Sequence, residues 1–146
     1  MSVMRVSTDK AELDLPLVHR FLSTEAYWSL GIPEETVARA VAGSLCFGGH
    51  VEGAGQVAFA RVVSDFATFA YLADVFVLPE HRGRGYSKQL IAEVMAHPKL
   101  QGLRRFMLAT SDAHRLYAQY GFDAPTKPYT LMEAVQPDIY AETRNA

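Results

Sequence analysis

Residues 75–88 read VFVLPEHRGRGYSK, and this stretch decides the fold. Its apolar start predicts a buried strand that ends at Pro79, because proline cannot donate to the hydrogen-bond ladder of a central strand. Gly83 and Gly85 predict a loop, and the apolar spacing after them predicts a helix over residues 85–97. A strand, a glycine loop and a helix in this order place free backbone N–H groups at the positive end of the helix.

The glycine loop predicts a site for a phosphate or pyrophosphate group. Glycines let backbone N–H groups come close to an anion, and Arg82, Arg84 and Lys88 add full positive charges. The spacing is not that of a Walker-type loop, and no third glycine completes a dinucleotide fingerprint. Judged on its glycines alone, the loop is equally well explained as a basic turn before a surface helix.

The rest of the chain alternates between strand and helix patterns, which predicts a mixed α/β domain. Strands are predicted over residues 3–7, 45–51, 56–63, 68–78 and 105–110, and final strands at Phe122 and over residues 129–135. Helices are predicted to begin at Asp14, at residues 31–35, and at Ser111 or Asp112, the last running to about Tyr120. Residues 136–146 are predicted to form a surface tail.

The composition is that of one soluble globular domain over residues 1–146. Hydrophobic residues make up 49% and charged residues 21%, which is too apolar for a disordered chain. The formal net charge of -2 argues against nucleic acid as a partner. No apolar stretch reaches the roughly 18 residues of a membrane span, so we expect no membrane partner and a cytoplasmic location.

Cysteine and histidine are arranged in a way that predicts no metal site. Cys46 is the only cysteine and lies in an apolar run, which favours a buried, unreactive thiol over a nucleophile. The histidines do not have the spacing of metal ligands.

Two motifs carry a resemblance to a known family. RGRGYS at residues 82–87 resembles the acetyl-CoA signature Gln/Arg-x-x-Gly-x-Gly/Ala of the GNAT superfamily of N-acetyltransferases. LYAQYGF at residues 116–122 is similar to the family's Leu-Tyr-x-x-x-Gly-Phe element, and the order and separation agree. The resemblance implies a single GNAT-like domain with a mixed, mostly antiparallel sheet of about six to seven strands. It also implies a splay near Val77 and about four flanking helices.

The same resemblance implies acetyl-CoA as the co-substrate. Backbone groups at the end of the predicted strand should run beside the pantetheine arm, and N–H groups of the loop should hold the pyrophosphate. The residues implied are Val75, Phe76, Val77, Arg82, Gly83, Arg84, Gly85, Tyr86, Ser87 and Lys88. Two positions depart from the family pattern: Ser87 stands where Gly or Ala is usual, and Thr110 where Asn is frequent.

Attack of an amine on a thioester needs a neutral amine, a stabilised carbonyl oxygen and a proton for the leaving thiolate. The resemblance implies that Tyr117 occupies the family's general-acid position, and a phenol keeps its proton at pH 7. The alternative is a core tyrosine bonded to backbone. Asp74 is a candidate base, predicted to share a strand face with Leu72 and Phe76. The alternative is a structural partner for Arg61 or a backbone N–H.

The acceptor is not defined by the sequence, although direct transfer to an amine is expected. Tyr27 and Trp28 lie between the first two predicted helices and could cover the acceptor, or instead anchor helix to sheet. Arg61 could meet a charged acceptor. The near-neutral charge slightly favours a small molecule over a protein. A homodimer is compatible with the resemblance, and the alternatives are a non-catalytic acyl-CoA-binding module and a phosphate-binding regulatory domain.

Overall fold

The structure is a computed structural model that describes residues 3–141. Its five strands are β1 Met4–Ser7, β2 Leu45–Val51, β3 Gly55–Ser64, β4 Phe69–Val77 and β5 Arg105–Leu108, which form one sheet in the order β1-β2-β3-β4-β5. The α-helices in this part of the chain are α1 Leu15–Thr24, α2 Glu34–Ala42, α3 Tyr86–Ala96 and α4 His114–Ala118. The predicted α/β class and the four helices are confirmed.

The sheet is mostly antiparallel, as predicted. The three pairings from β1 to β4 are antiparallel, and β4 pairs with β5 in parallel. A parallel pair needs a crossover, and here α3 supplies it between β4 and β5. As a result, the loop that leads into α3 lies at the carboxyl end of β4, on the β5 side.

Helix α1 begins where the sequence predicts it. The Asp14 carboxylate accepts a hydrogen bond from the backbone N–H of Leu17 at 3.1 Å, and Pro16 occupies the first turn. Val18, Phe21 and Leu22 are buried at helical spacing, which fixes the face that α1 turns toward the sheet. No helix within residues 3–141 has the length and apolar character needed to cross a bilayer.

The sheet has a core layer on each face. Helix α3 buries Leu90, Ile91 and Val94 on one face. Helices α1 and α2 cover the other face, where Phe59 and Phe76 are buried. The β4 strand is therefore packed from both sides, and only its edge toward β5 remains open to form a site.

A bulge in β4 changes which residues share a face. Phe59 pairs with Phe76 and Arg61 with Ala73, so β4 has one residue more than β3 between these two pairs. Asp74 lies in this bulge with φ of 55°. Leu72 joins the α3-side core and Phe76 the opposite core, so the prediction that both share one face was wrong. The alternation of side chains between the two sheet faces fails as a guide here, because the extra residue in β4 reverses which face the following side chains occupy.

The predicted strands after residue 122 are absent from the described chain. Pro128–Thr130 is a short 3-10 helix, residues 131–136 pair with no strand, and every residue from 123 to 139 is exposed. The expected six to seven strands are therefore five. The alternating apolar residues of 129–135 suit a strand, but a strand forms only where a neighbouring strand can accept and donate its backbone hydrogen bonds. Residues 142–146 of the predicted tail lie outside the described residues.

Helix α4 is shorter than predicted and has a different start. Its N-cap is Ala113, which makes no side-chain cap, so neither Ser111 nor Asp112 has that role. The Thr110 hydroxyl instead accepts a hydrogen bond from the Ala113 N–H at 3.0 Å. This arrangement leaves the β5–α4 loop free to form a wall of the site.

Candidate active site

A cleft of about 930 Å³ lies where β4 and β5 separate. Their pairing ends at Leu72 and Leu108, so residues 73–77 have no partner in β5. The opening therefore begins at Ala73, earlier than the predicted splay near Val77. Along this part of β4, the backbone edge on the β5 side faces the cleft without a neighbouring strand, while the other edge pairs with β3.

The predicted pantetheine segment lines this cleft. Val75 is half-buried, whereas Phe76 and Val77 are buried in opposite core layers. Phe76 stacks on Phe21 of α1 with ring centroids 4.0 Å apart. Because the side chains are held in the cores, the strand presents its backbone edge to the cleft.

The glycine loop has the conformation that its residue types demand. Gly83 and Gly85 have φ of 79° and 78°, where a side chain introduces strain. An added Cβ would meet no atom within 4 Å at either position, so conformation rather than crowding requires glycine. Gly85 is the N-cap of α3 and provides no side-chain cap, so the first-turn N–H groups remain available for an anion.

The basic residues of the loop divide into two groups. Arg82 lines the cleft, and its Nε donates to the Val77 carbonyl at 2.9 Å, which ties the loop to the end of β4. Arg84 and Lys88 are exposed and do not line the cleft. Ser87 lines it half-buried, and Tyr86 lines it from a buried position in the α3-side core.

His81 lies in the glycine loop on the same side of the cleft. It is half-buried and lines the cleft, and its buried Nδ1 has no hydrogen-bond partner among residues 3–141. A lone loop histidine gives no sequence signal for this position, because its burial depends on how the loop packs.

Tyr117 faces the cleft from α4. Only 8% of the residue is exposed, and burial, aided by the charge of Asp112, raises the pKa of the phenol. Its hydroxyl makes no hydrogen bond with any residue of the described chain, unlike the core tyrosine of the alternative interpretation. The phenol therefore stays protonated at neutral pH and is free to donate into the cleft.

Asp74 is held by two donors. Its Oδ1 accepts from Trp28 Nε1 at 2.8 Å, and its Oδ2 accepts from Arg61 Nε at 2.8 Å. The side chains of this ion pair are 12% and 19% exposed. Arg61 also donates to Ser44 Oγ at 3.1 Å. The predicted Asp74–Arg61 partnership is present, and it leaves no uncompensated charge at the bulge.

The α1–α2 loop crosses the cleft. The Tyr27 and Trp28 rings meet edge to face at 5.1 Å, and the Tyr27 hydroxyl bonds to Ser111 Oγ at 2.7 Å. Because Trp28 is bonded to Asp74, the loop is fixed to the β4 bulge on one side and to the β5–α4 loop on the other. Exposures of 64% and 46% show that Tyr27 and Trp28 are not core anchors.

Other lining residues were not identified from sequence. Glu25 is exposed and its carboxylate has no hydrogen-bond partner or ion-pair partner in the described chain. Tyr71 of β4 and Ser111 also line the cleft. This side of the cleft, which we call the acceptor wall, is formed by Glu25, Tyr27, Trp28, Tyr71 and Asp74. It is aromatic and carries net negative charge.

Other reactive groups lie away from the cleft. Cys46 is buried, as predicted, and burial raises the pKa of its thiol to about 11. Within residues 3–141 no three His, Cys, Asp or Glu side chains are placed to hold a metal ion.

Comparison with known proteins places this geometry in a family. The Acetyltransferase (GNAT) domain matches residues 43–124. A Gibberella zeae protein, whose name assigns it provisionally to the acetyltransferases, is 33% identical over 78% of this chain and 75% of its own length.

Solved structures of related proteins support the same family assignment. A GNAT-family protein from Xanthomonas campestris pv. campestris is 63% identical, with a TM-score of 0.93 over 97% of this chain and 99% of that one. A Clostridium acetobutylicum protein solved with acetyl-CoA has a TM-score of 0.64 at 18% identity, over 92% of this chain and 96% of that one. The chain therefore belongs to the GNAT superfamily and is an N-acetyltransferase.

Proposed function

We propose that the protein transfers an acetyl group from acetyl-CoA to a small-molecule amine by direct attack, without a covalent enzyme intermediate. The observation that carries this proposal is the Tyr117 hydroxyl. It is protonated and unpaired within the described chain, and it faces the same cleft as the open edge of β4 and the glycine loop.

The cleft fits acetyl-CoA along its length. The N–H groups of residues 83–88 suit the pyrophosphate, with Arg82 keeping the loop against β4. The backbone edge of residues 73–77 that has no partner in β5 suits the amide groups of the pantetheine arm, which can pair like an added strand. This arrangement brings the thioester to the part of the cleft between Tyr117 and the β4 bulge.

The reaction needs one bond formed and one broken. The amine nitrogen attacks the carbonyl carbon, a C–N bond forms, and the C–S bond breaks. A β4 backbone N–H near Val77 is the proposed donor to the carbonyl oxygen as negative charge develops on it. Tyr117 gives its proton to the departing sulfur, and the amine gives up a proton to restore the balance.

We propose Asp74 as the group that accepts the amine proton through a water molecule. Both of its oxygens already accept hydrogen bonds from Trp28 and Arg61, but each carboxylate oxygen can accept a second. The bulge projects this carboxylate into the cleft beside the open β4 edge. The two donors keep the carboxylate in place rather than removing it from the reaction.

The acceptor wall favours a small amine with an apolar body. Tyr27, Trp28 and Tyr71 offer ring surface to such a body, and Glu25 attracts its ammonium group. The Tyr27–Ser111 hydrogen bond spans the opening, which favours a compact acceptor over a lysine on a folded protein surface. An anionic acceptor would meet repulsion from Glu25 and gain no free cation from Arg61, which is paired.

The test is acetylation of a panel of amines by the full chain. The panel holds arylalkylamines, aliphatic diamines, amino-sugar phosphates and lysine peptides, each with acetyl-CoA. CoA release and product mass are followed together. We expect the highest kcat/KM for small amines with an apolar body. Tight CoA binding without turnover on any class would contradict the proposal and favour a non-catalytic acyl-CoA-binding module.

A further inference from the structure

The sheet face opposite α3 is covered over only part of its area. Helices α1 and α2 bury Phe59 and Phe76 on this face. Toward the β3–β4 turn, the same face carries four apolar side chains that belong to neither core layer: Val63, Phe69, Tyr71 and Met107. We call these four residues the apolar strip.

Strand register places the apolar strip on one continuous surface. Val63 of β3 is directly opposite Tyr71 of β4, and Tyr71 is in register with Met107 of β5. Phe69 is two residues before Tyr71 in β4, so both side chains point to the same face. Ala70, which lies between them, is buried in the core layer on the α3 side. The four side chains are therefore neighbours on the face opposite α3.

The strip is open to solvent. Val63 is 42% exposed, Phe69 37% and Tyr71 36%, and Met107 is half-buried. A single exposed apolar side chain is ordinary and needs no explanation. Apolar neighbours gathered on one sheet face instead mark a surface that a ligand or a partner covers.

The apolar strip continues into the active-site cleft. Tyr71 belongs both to the strip and to the acceptor wall, and Ala73, the next residue on this face of β4, also lines the cleft. The methyl side chain of Ala73 leaves little to separate the two. The negative charges of Glu25 and Asp74 lie at the cleft end, and the strip itself has no charged side chain. This polarity matches a molecule with an amino group at one end and an apolar tail.

We propose, on the basis of the acetyl transfer proposed above, that the apolar strip binds the tail of the acceptor amine. The acceptor is then a primary amine with an elongated, uncharged apolar tail. Its amino group lies near Asp74, and its tail leaves the cleft past Tyr71 and lies along Val63 and Phe69. Arg105 is exposed and in register with Phe69 at the outer end, so a positively charged tail end meets repulsion there.

A small-molecule tail suits this strip better than a protein does. A stable protein interface uses roughly 20–30 residues a side, far more than the four side chains of the strip. A slender tail needs only a narrow apolar track that begins at the reacting group, and Tyr71 provides that connection. Val63 and Phe69 touch no reacting atom in this arrangement, so their role is to determine specificity.

The first test is a series of unbranched amines from propylamine to octylamine, with acetyl-CoA saturating. The amino group is the same throughout, so differences in kcat/KM report the tail alone. We expect about a twofold rise for each added methylene, about thirtyfold over the series, because an open strip covers one side of the tail. Octane-1,8-diamine has the same length with a charged end and should lose most of this gain.

The outcomes of this series separate the two proposals. If propylamine is acetylated and longer tails bring no gain, the apolar strip is not a tail site, while acetyl transfer to small amines stands. If no amine of any length is acetylated, the proposed function is contradicted, and the tail site with it.

The second test locates the tail on the strip with the double variant Val63→Thr, Phe69→Thr. Threonine suits a strand, and an unchanged melting temperature shows that the fold is intact. The gain from propylamine to octylamine should fall below about fivefold. Val3→Thr is the matched control, since Val3 is 83% exposed and lies outside the strip, and it should keep the full gain. A full gain in the double variant overturns the assignment.

A binding measurement removes the dependence on turnover. Calorimetry with CoA-bound protein compares N-octylacetamide with N-propylacetamide, the products of the two amines. We expect the longer product to bind more tightly to the parent, and Val63→Thr alone, a change that keeps the shape of the side chain, to reduce that difference. Equal affinities for both products in the parent overturn the proposal.

Sedimentation velocity tests whether a second copy of the chain covers the strip instead. We expect the parent and the double variant to have the same mass across a range of concentrations. A dimer of the parent that the double variant dissociates would assign the strip to a second copy and overturn the proposal.

Discussion

The two walls of the cleft are constructed in different ways. The first wall, which we propose holds the cofactor and call the cofactor wall, is one continuous piece of chain, residues 75–88, with an open backbone edge and two glycines. The acceptor wall joins side chains from the α1–α2 loop and from β4, which meet only after folding. The residues proposed to bind the cofactor are therefore close together in the sequence, whereas those proposed to select an acceptor are distributed along the chain.

This difference predicts separable effects of substitution. Changes in the cofactor wall should alter acetyl-CoA affinity and leave amine selectivity intact. Changes in the acceptor wall should alter kinetics toward the amine and leave CoA binding intact. Tyr117 lies where the two walls meet, so its removal should affect the chemical step itself.

The largest effect is expected for Tyr117→Phe. Losing the proposed proton donor to the leaving sulfur should lower kcat by about 10²-fold or more, with little change in CoA binding. Tyr120→Phe is the matched control, because the Tyr120 hydroxyl donates to the Lys88 carbonyl outside the cleft. Stopped-assay kcat and calorimetric CoA affinity measure the two quantities. Equal losses in both variants would deny Tyr117 a special role.

The pH profile gives an independent measure of the same residue. Burial and Asp112 raise the pKa of Tyr117 above the ordinary value near 10. Activity should rise with pH as the amine loses its proton, and it should not fall through loss of the phenol proton below about pH 10. A decline near neutral pH that Tyr117→Phe removes would show that the phenol ionises too early for this role.

The next largest effect is expected for Gly85→Val. A branched side chain at φ of 78° strains the loop and crowds the space an anion needs, so the KM for acetyl-CoA should rise at least about tenfold. Gly53→Val imposes a similar strain, since Gly53 has φ of 82° in the β2–β3 turn. Both variants should melt at lower temperature, but only Gly85→Val should weaken CoA binding.

A smaller effect is expected for Asp74→Asn. Asparagine tolerates the left-handed backbone, yet it loses the charge that pairs with Arg61 and that we propose accepts the amine proton. We expect kcat to fall about tenfold with CoA affinity unchanged, because a charge-assisted hydrogen bond is lost on the acceptor side. A fall in CoA affinity instead would mean that the two walls are not independent.

Asp65→Asn is the matched control for that variant. Asp65 accepts hydrogen bonds from the Thr68 hydroxyl and from the backbone N–H groups of Thr68, Ala67 and Phe69 in the β3–β4 turn, which lowers its pKa. A lowered folded-state pKa contributes stability above the unfolded value near 3.9, and this stability is lost as pH falls further. Asp65→Asn should therefore have a lower melting temperature than the parent at pH 7 and the same melting temperature in strong acid. Its kcat should be unchanged.

The smallest effect is expected for Glu25→Gln. Removing one exposed charge should raise the KM for cationic amines by about threefold and leave kcat unchanged, since exposed ion pairs contribute at most about 1 kcal/mol. The effect should shrink in high salt. Glu93→Gln removes an exposed charge on α3 outside the cleft and should change neither constant. A threefold rise of the KM in Glu93→Gln would mean that the overall charge of the protein, and not the position of Glu25, causes the effect.

Sequence reasoning succeeded where the signal is local. The Asp14 cap of α1 could be predicted because the carboxylate and the backbone N–H that it accepts from are only three residues apart. The positive φ of Gly83 and Gly85 likewise follows from residue type. These positions depend on neighbours in the chain, which the sequence displays directly.

Sequence reasoning failed where the conformation of a residue depends on contacts with residues distant in the chain. The bulge at Asp74 is set by pairing with β3 and by the Trp28 and Arg61 contacts, so strand alternation could not reveal it. Residues 129–135 have a strand pattern without a strand partner in the described chain. Glu25 follows the end of α1 and Tyr71 lies in β4, so these two residues line one cleft only after the chain has folded.

The burial of Cys46 has a practical consequence for measuring this enzyme. Its thiol is the only one in the chain, and with a pKa of about 11 it stays neutral in ordinary assay buffers. A chromogenic disulfide reagent reacts with thiolates, so it should report the thiol of released CoA with almost no background from folded protein. The same reagent should gain one equivalent of signal per chain upon unfolding, which makes it a count of misfolded enzyme in each preparation.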